Sequence, residues 1–108
     1  MSGNVQRVKH WISLLVDPDT PYLQAKGLIS TANQDQVVAL LEILHNLVRN
    51  YSHLPEAIAK KLRRKKWQQL AQPRKSLKLK KKAFVKSSRE VVGLLQSVQD
   101  FLKPYIEE

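Results

Sequence analysis

The chain has 108 residues, 43% of them hydrophobic, with 19 basic side chains against 9 acidic ones and no cysteine. That length supports one domain without a metal or disulfide staple, and the missing thiols exclude disulfide frameworks, thiolate zinc sites and cysteine nucleophiles. The net charge of +10 points to a polyanionic partner, and no apolar run approaches the roughly 18 residues of a membrane-spanning helix.

Val5, Val8, Ile12, Leu15 and Val16 recur at helical intervals with Trp11 beside them. The pattern predicts a first helix, capped by Ser2 or Asn4 and stopped by Asp17-Pro18. Residues Asp17 to Pro21 read as a turn. Thr20 and Pro21 form an N-cap and first-position pair for a short second helix, with Tyr22, Leu23, Ala25, Leu28 and Ile29 inward. A third helix opens near Asn33, where Thr31 with Gln34, or Asn33 with Gln36, has capping-box spacing. Its dense apolar set (Val37, Val38, Leu40, Leu41, Ile43, Leu44, Leu47, Val48) marks it as the central scaffold, contacted from more than one side.

Tyr51-Ser52-His53 breaks that helix, and Leu54-Pro55 starts a fourth with Pro55 at its first position. Leu54, Ile58, Leu62 and Leu70 form a narrow seam, with Ala57 and Trp67 alongside, and Gln72-Pro73 ends it. Ser76 caps a short fifth helix to about Lys86, with Leu77, Lys81 and Phe84 on one face. Leu77-Lys78-Leu79-Lys80 also alternates as a strand does. Ser87 with Glu90 is a capping-box pair for a last helix bearing Val91, Leu94, Leu95, Val98, Phe101 and Leu102, closed by Lys103-Pro104. With three glycines and no hairpin dipeptide, the expected fold is all-α: a single domain over residues 1–108, a compact bundle of five or six short helices.

The charge is unevenly spread. Residues 60–89 hold 14 of the 19 basic side chains and none of the acidic ones. The candidate nucleic-acid-binding residues are Lys60, Lys61, Arg63, Arg64, Lys65, Lys66, Arg74, Lys75, Lys78, Lys80, Lys81, Lys82 and Lys86, with Arg89 closing the segment. Leu62, Trp67, Leu70, Leu77, Leu79, Phe84 and Val85 interrupt the charges, which distinguishes a folded cationic surface from a solvated tail. Each Lys or Arg that neutralises a phosphate releases condensed counterions, so such a surface binds a nucleic-acid backbone. Lysine dominates and acts as a point charge, whereas paired base contacts favour Arg, Asn and Gln, so little sequence specificity is expected. Arg63, Arg64 and Arg74 are the candidates for paired contacts.

Other readings are weaker. Lys60-Lys61-Leu62-Arg63-Arg64-Lys65-Lys66 fits a nuclear-localisation patch as well as any basic segment does. Trp67 can stack on a base but falls near the seam, where core packing is expected, as it is for Trp11. An anionic membrane surface is disfavoured, because the apolar side of the fourth helix is needed for the core. His10, His45 and His53 form no triad or metal-ligand pattern, and Asp17 and Asp19 suit a turn better than acid–base work. No enzymatic activity and no cofactor are expected. The alternative to nucleic-acid binding is a protein-interaction module, docking an acidic partner on the basic face or forming a homo-oligomer through the Val91–Leu102 face. The first residues lack an apolar core of the signal-peptide kind, so secretion is not expected.

Part of the chain resembles a family. Leu28-Ile29-Ser30-Thr31-Ala32, Leu40-Leu41-Glu42-Ile43, Asn46-Leu47, Leu54, Leu62, Lys65, Leu70-Ala71 and the run Lys75-Ser76-Leu77-Lys78-Leu79-Lys80-Lys81-Lys82 occur in that order. Spanning Lys26 to Lys82, they resemble small basic proteins encoded by Polinton/Maverick-type and adintovirus-like DNA elements. The resemblance implies a viral or transposon-derived product that contacts packaged DNA, placed in the virion or nucleus, with DNA favoured over RNA. Where that family has a Gly-Gly-containing apolar tail, this chain has Ser87-Ser88-Arg89-Glu90 and an amphipathic helix, so no C-terminal role carries over.

Overall fold

A computed structural model describes residues 8–50, 53–72 and 76–106. Among the described residues there are eight helices and no strand. They are α1 (Lys9–Val16), α2 (Tyr22–Ser30), α3 (Gln34–Arg49), α4 (Glu56–Leu62), α5 (Lys65–Leu70), α6 (Leu77–Lys86), α7 (Ser88–Ser97) and α8 (Gln99–Ile106). The fold is all-α, with a radius of gyration of 12.6 Å. The six expected segments are all helical, and two of them are divided. The Ser2 and Asn4 caps, Tyr51-Ser52 and Pro73 lie outside the described residues.

The first half follows from local chemistry. Trp11, Ile12, Leu15 and Val16 are the buried stripe of α1, and the Trp11 indole donates to the Leu28 carbonyl at 3.3 Å. Asp17 turns extended before Pro18, as steric conflict with a following proline requires, and its carboxylate accepts from the Asp19 N–H at 2.9 Å. Thr20 does not cap α2: it is buried, and Pro21 takes the cap position with no side-chain cap bond. Leu23, expected inward, is 79% exposed. At α3 the capping box forms with Asn33 and Gln36, each side chain accepting from the other's backbone N–H at 2.9 and 2.8 Å. The competing Thr31 hydroxyl donates back to Gly27.

Pro55 stands at the cap of α4 rather than inside it. The expected single helix from there to Leu70 breaks because its apolar positions change phase. At about 100° per residue, Trp67 lies some 140° around a straight helix from Leu62. An extended Arg64 between α4 and α5 re-aims the second piece, so that Leu62, Trp67 and Leu70 are all buried. The Leu62 carbonyl freed at the break accepts from the Gln68 amide at 3.1 Å.

Ser76 caps α6 through the Leu79 N–H, and the stretch that also alternates like a strand is helical. Phe84 and Lys80 are its fully buried side chains, whereas Leu79 is 55% exposed. The last expected helix divides at Val98 and continues through Pro104 to Ile106. Ser87 makes no side-chain cap bond at its start, so the expected Ser87–Glu90 capping box is absent. The Gln96 amide donates to the Asp17 and Thr20 carbonyls, tying α7 to the turn between α1 and α2.

The helices pack in two groups. One comprises α1, α2, α7 and α8, and the other α3, α4 and α5; α6 packs against α2, α3, α5 and α7. The scaffold role expected of α3 is thus shared: α3 is deeply buried from Val37 to Val48, but α6 joins the two groups. Val91, Val92, Leu94, Leu95, Val98 and Leu102 are spent on the core of one chain, whereas Phe101, expected among them, is 42% exposed. Among the described residues no helix is long and apolar enough to cross a membrane.

Candidate nucleic-acid interface

The break between α4 and α5 positions the first half of the basic segment. Both pieces turn their apolar sides inward, leaving Lys60, Arg63, Arg64, Lys65 and Lys66 exposed and Lys61 half-buried. The Arg63 guanidinium meets Glu56 at 3.2 Å, and the Lys66 ammonium meets Glu90 of α7 at 2.8 Å. Both pairs are solvent-exposed, where an ion pair is worth at most about 1 kcal/mol. The Lys66 hydrogen bond holds the Glu90 carboxyl below the usual glutamate range. Its own backbone N–H and the charges of Lys66 and Arg89 act in the same direction.

The second half lies on α6. Lys78, Lys82 and Lys86 are exposed and Lys81 is half-buried. Lys80 departs from expectation. It is 2% exposed, and its ammonium donates to the Gln69 and Leu70 carbonyls at 2.9 Å each. An ammonium in that position satisfies the carbonyl-rich end of α5. Lys80 is therefore a fastener between α5 and α6 and is not presented to a partner. Arg74 and Lys75 lie outside the described residues.

Lys66 connects the two halves. It lines a cleft of about 330 Å³ with Lys61, Arg64, Trp67, Arg89, Glu90 and Gly93. It also lines one of about 410 Å³ that reaches Lys86 along α5 and α6. Basic side chains thus run from α4 across α5 to α6. Arg89, in the basic segment but absent from the expected binding set, belongs here: its guanidinium sits 4.4 Å from the centre of the Tyr22 ring. The Tyr22 hydroxyl is in turn hydrogen-bonded to Ser88 Oγ at 2.9 Å. Glu90 is the other residue that sequence reasoning missed. Its capping-box spacing hid it, although it is the first acidic residue after the basic run. Trp67 is buried as expected and touches the cleft from its core side.

A further groove on α6 adjoins the second cleft, sharing Leu79 and Lys86 with it. Leu79 and Val85 lie in this shallow groove with Lys78, Lys81, Lys82 and Lys86. No protein-family model matches the chain, and neither does a curated protein nor a solved structure.

Proposed function

We propose that the protein binds nucleic acid, DNA in preference to RNA, through the phosphate backbone and with little sequence specificity. What supports this is the continuity of the basic surface: Lys66 lines both clefts and joins the cations of α4 and α5 to Lys86 of α6. Opposing carboxylates at Glu56 and Glu90 are few and exposed, so the surface keeps a large positive excess. A viral or transposon origin, with a virion or nuclear setting, rests on the family resemblance and forms part of the same proposal.

Fluorescence anisotropy with a mixed-sequence duplex, titrated at about 50 and 200 mM salt, tests it. Roughly six phosphate contacts give a log–log slope near −5. Absence of binding at low salt overturns the reading.

A second reading is favoured by the Leu79 groove. A phosphate backbone has no use for an exposed leucine, whereas an acidic amphipathic protein segment meets both its apolar floor and its lysine rim. Loss of such a partner in V85S, with duplex binding intact, separates the two, because Val85 lines the groove and neither basic cleft.

A further inference from the structure

We infer that the cleft between α5 and α7 seats a backbone phosphate of the bound strand, and that Glu90 is the built-in competitor for that seat. The inference rests on the nucleic-acid reading and deepens it.

Four cations, Lys61, Arg64, Lys66 and Arg89, share the cleft with one carboxylate. Glu90 takes the Lys66 ammonium at 2.8 Å, a distance that suits a phosphate oxygen equally well. Stacking on Tyr22 fixes Arg89 without neutralising it, and the hydroxyl bond to buried Ser88 fixes Tyr22. One cation is thus held in place by a ring, and one carboxylate covers another cation. A backbone phosphodiester carries one negative charge, as Glu90 does, but it arrives with neighbouring phosphates that engage the surrounding cations, and so it competes for Lys66.

Gly93 supplies the independent observation. It lies inside α7 with no positive φ, where glycine weakens a helix relative to alanine. A Cβ at this position would meet nothing within 4 Å, so packing does not demand the missing side chain. Gly93 is exposed and is one of the residues that line the cleft with the four cations. A bare backbone there lets a bulky anion approach closely, a recognised use of glycine beside ligands.

The test compares the wild type with E90Q, G93A and G93L in the duplex titration, with thermal melts as the control for folding. E90Q is expected to tighten binding about threefold, the worth of one exposed ion pair, and to steepen the salt slope by about 0.9 as Lys66 gains a phosphate. G93A is expected to melt no lower than the wild type yet bind a few-fold more weakly, and G93L to bind about tenfold more weakly. If the wild type binds and none of the variants differs from it, the seat is elsewhere and the inference fails while the nucleic-acid reading stands. Tightening in E90Q without weakening in either Gly93 variant reduces Glu90 to a long-range charge, which also overturns the seat. A wild type that ignores the duplex at low salt removes the reading beneath it.

Discussion

Lys80→Met separates the structural lysine from the binding ones. Methionine keeps most of the aliphatic length but removes an ammonium that donates to two carbonyls at 2.9 Å. The two acceptors are not equivalent. The Gln69 carbonyl also accepts from the Gln72 N–H, whereas the bond to Leu70 is fully buried. Leaving a buried carbonyl unsatisfied costs about 1–3 kcal/mol, and each lost charge-assisted bond was worth about 1.5–3. Relief from holding an ammonium out of water offsets several kcal/mol of that. The expected net loss is about 3 kcal/mol, or roughly 15 °C in Tm for a domain of this size. Circular dichroism melts and urea titrations measure it, and duplex affinity measured well below the melting point should be unchanged. The exposed neighbour gives the reverse pattern: K82M does not lower Tm and reduces the magnitude of the salt slope by about 0.9. A K80M protein as stable as the wild type, or one that folds normally but loses duplex affinity, would refute the assignment of Lys80 as a fastener.

Further outcomes follow from the same structure. Reversing Arg63, Arg64, Lys65 and Lys66 together to glutamate should abolish duplex binding in the anisotropy assay while far-UV circular dichroism stays helical, since all four side chains are exposed. Asn33→Ala removes one arm of the capping box of α3 and should cost about 1 kcal/mol, read as a Tm lower by roughly 5 °C. Glu90, whose carboxyl is held low by Lys66, contributes stability that is complete above the ordinary glutamate range and disappears as the pH falls through its depressed value. The Tm difference between wild type and E90Q should therefore be flat from neutral pH down to the ordinary glutamate range and close as the pH falls below it, and closure above that range would contradict the ion pair.

Helix existence was legible because it is local. The Asn33–Gln36 spacing and the stop at Asp17-Pro18 act within a few residues, and both operate as read. The divided helices carried a weaker signal. The phase change from Leu62 to Trp67 is visible in the sequence, but the run of good helix formers conceals it. Val98 has the right spacing for a continuous stripe and is nonetheless a break, because α8 must fold back against α1. The charged surface was read from composition, and most of its members are exposed. Lys80 could not be told from its neighbours, since its burial depends on where the end of α5 falls in space. Leu23 shows the converse: an apolar residue on the expected inner face that packing leaves in water. Glu90 joined the site through tertiary proximity, whereas Arg89 was legible as the end of the basic segment and only its stacking on Tyr22 was not.

The helix that joins the two halves of the core is also among the most positively charged, and this couples cohesion to ionic strength. Lys78, Lys81, Lys82 and Lys86 surround a segment whose Phe84 and Lys80 are fully interior. At low salt their mutual repulsion works against the element that joins the two helix groups, and added salt eases it. The same salt weakens attachment to a polyanion. Heat resistance of the free protein and grip on its partner should then move in opposite directions as salt is raised, while a bound polyanion, by neutralising α6, should raise the melting temperature most where the unliganded protein is weakest.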